Sequence, residues 1–235
     1  MNVRELFAAL FDAGHNIVIE DELIKGSATV DGLPVSVVGT VDHAPIGIDL
    51  ALAQAREILN TVRDFPGRAI VLLVDTQGQR LRHRDELLGI NRYMAHLGCC
   101  VELARNRGHK VIGLVYDQAL SGGFLTSGLM ADACYALPEA EIRVMRLPAM
   151  ARVTKIDPAH LEKLAAANPV FAPGVENYVK MGGIETAWKG DLKKCLREAL
   201  NQTTTGDHRA EEGLRRGGRT MAAPVIKRVN GNSSA

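Results

Sequence analysis

Residues 69–78 have the sequence AIVLLVDTQG, and this stretch decides the architecture of the chain. Its six apolar residues, 69–74, are rich in Val, Ile and Leu and are bounded by Gly67 and Gly78. Such a run is typical of a strand that is buried on both faces, as in a parallel core sheet. Ligand-binding loops in α/β proteins follow the carboxyl ends of such strands, so the loop 75–78 is the first candidate site.

Further strands and helices follow from the same patterns. Asp31-Gly32 lies between two apolar runs and predicts a β-hairpin over 27–41. A second buried strand is predicted at 111–116, and apolar residues at helical spacing predict helices over 48–62 and 85–106. The other predicted elements are a small-residue helix at 124–131, strands at 133–137 and 141–145, and helices at 148–155, 158–167, 174–181 and 191–200. Two strand–helix units with short returns predict right-handed crossovers.

Composition narrows the function class. The chain has 235 residues, of which 46% are hydrophobic, and this supports a folded core. The formal charge is 28 − 27 = +1, which excludes an obvious basic footprint for nucleic acid. Since there is neither a signal sequence nor an apolar run of about 18 residues, we expect no membrane partner and a cytoplasmic location. We expect one domain over 1–200 and a polar, partly disordered tail over 201–235.

The loop after the first buried strand carries Asp75, Thr76, Gln77 and Gly78. The glycine permits a turn that aims backbone N–H groups outward. Thr76, Gln77 and Gly78 are therefore candidates for substrate binding. The alternative is a tight turn in which Asp75 is a partly buried structural carboxylate, and we assign this loop to structure and substrate lining rather than to acid–base chemistry.

The second candidate site is Ser121-Gly122-Gly123, between a buried strand and a helix start. Two glycines leave N–H groups without side chains in front of them, at the positive end of a helix dipole. This composition suits an oxyanion hole or a phosphate cradle, with Ser121 and Phe124 beside the substrate. The alternative is a helix in which Ser121 is the N-cap and the glycines serve packing. The spacing matches neither the dinucleotide fingerprint nor the P-loop.

Other chemically capable residues give weaker signals. Arg80, Arg82 and Arg84 could hold a phosphate or carboxylate of a ligand or carrier, or could form a solvated loop. The four cysteines and seven histidines show no metal-ligand or hydrolase spacing, so we expect no metal site. His43, His96 and His109 are interpreted as surface or packing residues.

Three segments in order carry a family resemblance. The Asp-Thr-x-Gly turn at 75–78, the Ser-Gly-Gly start at 121–123, and a segment from Ala131-Asp132 to Pro138-Glu139-Ala140 resemble the carboxyltransferase branch of the crotonase superfamily. The resemblance covers about residues 30–195. Within that branch the chain is most similar to γ subunits of biotin-independent malonate decarboxylase. Gln77 stands where a proline is usual in carboxyltransferases.

The resemblance implies an α/β fold: a crotonase-like spiral of β-β-α units with a mostly parallel core sheet and flanking helices. It implies decarboxylation of a malonyl thioester on an acyl carrier protein, in an active site shared with a β subunit. The enolate would be held by the backbone N–H groups of Gly122 and Gly123. No cofactor would be bound permanently, because the CoA-like prosthetic group arrives on the carrier. The acyl carrier protein and an acyl-carrier transferase subunit are the other implied partners.

Two alternatives stay open at this point. The chain could be an α-type carboxyltransferase subunit of a biotin-dependent acyl-CoA or decarboxylase complex. It could also be a catalytically silent scaffold for the β subunit, which would leave partner turnover unchanged when the glycine loop is disabled.

Overall fold

A computed structural model of the chain describes residues 1–145, 147–167, 173–202, 206–218 and 220–231. The strands are β1 (Val18–Glu20), β2 (Leu23–Val30), β3 (Leu33–Thr40), β4 (Pro45–Ile46), β5 (Ala69–Thr76), β6 (Gly78–Gln79), β7 (Val111–Leu120), β8 (Ala133–Ala136) and β9 (Glu141–Arg143). The helices are α1 (Val3–Leu10), α2 (Ile48–Asp64), α3 (His83–Leu87), α4 (Ile90–Asn106), α5 (Ser121–Leu125), α6 (Leu147–Thr154), α7 (Pro158–Ala167), α8 (Val175–Lys180), α9 (Leu192–Asn201), α10 (Arg209–Arg215) and α11 (Ala222–Val229).

Strand β5 is central in the main sheet. Its neighbours β3 and β7 both run parallel to it, and β7 continues in parallel to β8 and β9. The predicted hairpin is confirmed as β2 and β3, which pair antiparallel, and β1 adds an antiparallel edge. A separate pair of short parallel strands, β4 and β6, lies beside this sheet. The predicted mostly parallel core is confirmed.

Alternate side chains of β5 enter two different cores. Val71 and Leu73 pack in a cluster with residues of α1 and α9, whereas Ile70 and Leu72 pack with residues of α2 and α4. All four side chains are at most 3% exposed. Burial on both faces explains why this stretch is a continuous apolar run rather than an alternating one.

The carboxyl ends of β3, β5 and β7 meet at one edge of the sheet, because the three strands are parallel neighbours. The segments that leave this edge are residues 41–44 after β3, the Asp75–Gly78 loop after β5, and Ser121–Gly123 after β7. Both predicted candidate sites therefore belong to the same edge.

Two helix predictions are wrong in their extent. The single helix predicted over 85–106 is divided into α3 and α4, because Gly89 adopts a left-handed conformation with φ of +78°. The helix predicted over 124–131 begins earlier, at Ser121, and ends at Leu125, with a short 3-10 turn at Gly128–Met130. Apolar spacing alone does not reveal either boundary.

The described part of the C-terminal tail contains the helices α10 and α11. Arg216 joins this region to the rest of the chain, since its guanidinium donates to the carbonyl oxygens of Val179 and Ile184 and lies 3.3 Å from a carboxylate oxygen of Glu185. Residues 203–205, 219 and 232–235 of the tail lie outside the described residues. The boundary near residue 200 stays a prediction. No helix in the described ranges is both long and apolar enough to cross a membrane.

The space around two buried glycines predicts opposite effects on stability. An added Cβ at Gly98, inside α4, would approach nothing closer than 3.8 Å, and we expect Gly98→Ala to raise the free energy of unfolding by about 0.5–1 kcal/mol. An added Cβ at Gly39 would overlap the carbonyl oxygen of Leu73, and we expect Gly39→Ala to lower the free energy of unfolding by about 1–3 kcal/mol. Urea unfolding of the two variants measures both changes, and destabilisation by both would contradict the packing described for α4.

Candidate active site

The two predicted loops touch each other at the edge of the sheet. An added Cβ at Gly78 would lie 3.0 Å from the Cβ of Ser121. An added Cβ at Gly122 would lie 2.8 Å from Oε1 of Gln79, and one at Gly123 would lie 2.8 Å from Oγ1 of Thr76. Gly78 and Gly123 are therefore needed for the close packing of the two loops, whereas a Cβ at Gly122 would meet the movable end of the Gln79 side chain.

The loop after β5 is held in place from the β3 side. The hydroxyl of Thr76 donates to the carbonyl oxygen of Ala44 at 2.6 Å and accepts the N–H of Gly78 at 3.0 Å. The parallel pair β4–β6 continues this connection, with Pro45 opposite Gly78 and Ile46 opposite Gln79. Residues 43–46 thus form a support on which the Thr76–Gln79 segment rests.

The glycine pair lies in the first turn of α5. The helix begins at Ser121, although this residue has a left-handed φ of +49°, and Leu120 is its N-cap. The alternative in which Ser121 is the N-cap is therefore wrong. The first N–H groups of a helix have no partner within it. In the described structure no hydrogen bond is made by the N–H groups of Gly122 and Gly123. Two backbone donors are therefore free beside the Gln79 side chain and the Thr76 hydroxyl.

The other predicted substrate residues are divided between surface and core. Gln77 is exposed, and its N–H donates to the carbonyl oxygen of His43 at 3.3 Å. Thr76 and Phe124 are buried, and Phe124 packs against Tyr178 with ring centroids 6.1 Å apart. Thr76 and Phe124 therefore form the buried side of the site.

The three arginines of the following segment have different environments. Arg80 forms an ion pair with Glu22 at 2.8 Å, and Arg84 forms one with Asp49 at 2.9 Å. Arg82 is exposed, and among the described residues it has no ion-pair partner. Of the three cations, Arg82 has its charge least compensated by the chain itself.

A pair that the sequence analysis missed lies beside these loops. Nδ1 of His43 is 2.7 Å from Oδ1 of Asp75, and the N–H of His43 donates to Oδ2 of the same carboxylate at 3.0 Å. The imidazole is half exposed, with 49% of its side-chain surface accessible, whereas the Asp75 side chain is only 4% exposed. The interpretation of His43 as a surface residue thus omitted its buried partner. The burial predicted for Asp75 is confirmed.

The carboxylate of Asp75 orients the imidazole. Both of its oxygens accept N–H donors, since Oδ1 also accepts from Gln118 at 3.3 Å. The hydrogen bond to Asp75 raises the pKa of His43 above its ordinary value of 6.5. Asp117 is also close: one of its carboxylate oxygens, a ring nitrogen of His43 and a carboxylate oxygen of Asp75 all lie within 4.8 Å of one another. This is the spacing of a possible cation site. Because three N–H groups already donate to the Asp75 carboxylate, we assign it to orienting the imidazole.

Comparison with known proteins identifies the family. The model of the malonate decarboxylase gamma subunit family matches residues 41–233, which is most of the chain. The chain belongs to this family. As a member it is a subunit of a decarboxylating enzyme, and the resemblance found in its two glycine loops is confirmed.

Curated and solved relatives agree with this assignment. The chain is 31% identical over 203 residues to the malonyl-S-ACP:biotin-protein carboxyltransferase MADD of Malonomonas rubra, covering 77% of this chain and 70% of that protein. It is 28% identical to a chain of a Pseudomonas malonate decarboxylase hetero-tetramer in complex with coenzyme A, with a TM-score of 0.79 and 97% of each chain covered. A Pseudomonas MdcD-MdcE hetero-dimer gives 28% identity, a TM-score of 0.74 and the same coverage. The predicted fold class is confirmed, and these solved relatives are hetero-oligomers.

The His43–Asp75 contact predicts a titration that NMR can follow. In the wild-type chain we expect the His43 ring to titrate above pH 6.5, and in Asp75→Asn its pKa should fall because the stabilising carboxylate charge is lost. Because the folded-state pKa is raised, the pair stabilises the fold below pH 6.5, and this contribution disappears as the pH rises through the folded-state pKa. The ring signals of exposed His160 should be the same in both proteins. An identical His43 titration in the two proteins would contradict the contact.

Proposed function

We propose that this chain acts with a β subunit to decarboxylate a malonyl thioester, carried on an acyl carrier protein, to the acetyl thioester and CO2. The observation that supports this most strongly is the pair of free N–H groups at Gly122 and Gly123, placed where the two glycine loops meet. The acyl-carrier transferase subunit and a cytoplasmic location belong to the same proposal. No group of this chain needs a permanently bound cofactor for this reaction.

The chemistry requires stabilisation of one negative charge. Breaking the bond between the α-carbon and the carboxylate releases CO2 and moves the electron pair toward the thioester oxygen, which forms an enolate. The N–H groups of Gly122 and Gly123 donate to that oxygen. Preorganised donors of this kind each contribute about 3–4 kcal/mol to the transition state. The β subunit completes the site with groups of its own.

Residues around the donors shape the substrate site. Gln77 lines the exposed side of the loop, and the buried Gly78 lies against Ser121. Thr76 and Phe124 are buried beside the glycine pair. The Thr76 hydroxyl donates to Ala44 and occupies the space where a Cβ of Gly123 would lie, and the Phe124 ring packs against Tyr178. A side chain at 122 or 123 would reduce the space that the thioester needs.

The carrier is proposed to approach the segment after β6. Arg80, Arg82 and Arg84 face the acidic surface or the prosthetic-group phosphate of the carrier. Arg82 makes the largest contribution, since Glu22 and Asp49 already compensate its two neighbours. Charged groups at the rim of an interface mainly increase the rate of association and the specificity.

A second candidate function has its own support. The Malonomonas rubra relative is named as a carboxyltransferase to a biotin protein, and it is 31% identical to this chain over 203 residues. In that reaction the same enolate forms, but the carboxyl group passes to biotin instead of leaving as free CO2. Incubating the γ–β complex with carboxyl-labelled malonyl carrier and a biotin protein distinguishes the two functions by where the label appears.

Gly122→Ala tests the oxyanion role. The added Cβ would come closer than 3.9 Å only to Oε1 of Gln79, the end of an exposed side chain, so the fold should tolerate it. The variant keeps the N–H of residue 122, but its methyl group displaces the thioester oxygen from that donor. We therefore expect kcat for CO2 release by the γ–β complex to fall by about 10²–10³, the usual effect of losing one oxyanion donor. The measurement is CO2 release from malonyl carrier, with complex formation checked by gel filtration.

Gly183→Ala is the matched control, because its added Cβ would lie 3.5 Å from Leu129, at an ordinary contact distance. Its kcat should equal that of the wild type. Full turnover by an assembled Gly122→Ala complex would overturn the oxyanion assignment and would favour the scaffold alternative.

Arg82→Ala tests the carrier contact. We expect KM for malonyl carrier to rise about threefold to fivefold, as for the loss of an exposed interface charge of about 1 kcal/mol, with kcat unchanged. Arg63→Ala, which removes an exposed arginine paired with Asp64 at the far end of α2, should leave KM unchanged. Equal KM values for the two variants would exclude Arg82 from carrier binding.

A further inference from the structure

The proposed decarboxylation also needs a proton donor. Once CO2 has left, the α-carbon of the enolate must gain a proton to become the methyl group of the acetyl thioester. The N–H groups of Gly122 and Gly123 stabilise the enolate oxygen, but a backbone amide does not give up its proton. An acid at the same edge of the sheet is therefore required.

His43 is at this edge and is connected to the glycine pair through two residues. Its neighbour Ala44 accepts the Thr76 hydroxyl at 2.6 Å, and the oxygen of that hydroxyl lies 2.8 Å from where a Cβ of Gly123 would be. Its own carbonyl oxygen accepts the N–H of Gln77. The residue thus borders the same loop that closes against the oxyanion donors.

The imidazole is presented in a defined orientation. Nδ1 is directed to the buried Asp75 carboxylate, so Nε2 is the nitrogen that remains for the exposed side. Asp42 and His43 both have positive φ, +58° and +51°, which is unfavourable for non-glycine residues. Backbone of this kind persists only where surrounding contacts fix it, and here the Asp75 carboxylate accepts both the ring and the backbone N–H of His43.

We propose that His43, oriented by Asp75, is the acid that protonates the enolate carbon. The proposal rests on the function proposed above and adds a catalytic residue to it. The bond from Nε2 to its proton breaks, the enolate electron pair forms the new C–H bond, and the imidazolium becomes neutral imidazole. Water then returns one proton to Nε2. The sum is malonyl thioester anion plus one proton giving acetyl thioester plus CO2.

The electrostatic surroundings favour the protonated form of the ring. Asp75 on β5, Asp117 on β7 and Asp42 on the same loop all face His43, and each raises its pKa, whereas partial burial lowers it. The hydrogen bond to Asp75 is the largest of these effects. The acid is therefore more populated near neutral pH than for an isolated histidine.

The reverse proton transfer gives a test that is independent of CO2 release. The assembled γ–β complex, incubated with acetyl carrier in D2O, should exchange the methyl hydrogens for deuterium, with His43 acting as the base. We expect His43→Gln to slow this exchange by about 10²-fold or more, the usual contribution of a general acid–base group. The KM for malonyl carrier should change less than threefold. His160→Gln, at an exposed position in α7, should exchange at the wild-type rate.

Each outcome decides one question. Exchange by His43→Gln at the wild-type rate would overturn the role of His43 while leaving the decarboxylase function intact. A wild-type complex that releases no CO2 from malonyl carrier would overturn the proposed function itself. If His43→Gln does not assemble, the pH profile of wild-type exchange decides. The exchange rate should rise with pH and reach a plateau above the His43 pKa measured by NMR. An exchange rate that does not change between pH 6 and pH 9 would exclude the proposal.

Discussion

The buried carboxylate of Asp75 is the interaction on which this site depends. It accepts hydrogen bonds from the backbone and ring of His43, after β3, and from the backbone of Gln118, in β7. The backbone of Asp75 is also tied to the hydroxyl of Thr40 at the end of β3. One residue therefore joins the ends of three neighbouring strands. A buried charge of this kind is stable only when such donors surround it, so the three segments must be placed together.

Close packing of glycines then determines what this edge can bind. The loop after β5 and the first turn of α5 approach so closely that a Cβ at Gly123 would crowd the Thr76 hydroxyl. In the described structure the N–H groups of the glycine pair have no hydrogen-bond partner, and Gly123 itself is buried. Structural and chemical requirements thus select the same residue at these positions. In the function proposed above, these two donors stabilise the negative charge that develops on the thioester oxygen.

Much of the fold could be predicted because its signals are local. The apolar run at 69–74 and the Asp31-Gly32 turn identify the central strand and the hairpin from neighbouring residues alone. The division of the helix at Gly89 could not be predicted, because apolar spacing continues on both sides and only the positive φ of that glycine reveals the break.

The glycine loops were found through the order of their motifs, but the His43–Asp75 pair was not. The two residues are 32 positions apart and belong to no motif that spacing can detect. They meet only because β3 and β5 are adjacent parallel strands. Their positions could have indicated the pair, since each residue follows the predicted carboxyl end of a strand and these strand ends lie at the same edge of the sheet.

In the proposed reaction, Gly122 and Gly123 hold the thioester oxygen on which negative charge develops. The decisive measurement is a crystal structure of the γ–β complex with a malonyl thioester analogue that cannot lose CO2. We predict that the thioester oxygen lies about 2.7–3.1 Å from the backbone nitrogens of both glycines. A thioester oxygen bound only by groups of the β subunit, with the glycine pair facing elsewhere, would contradict it.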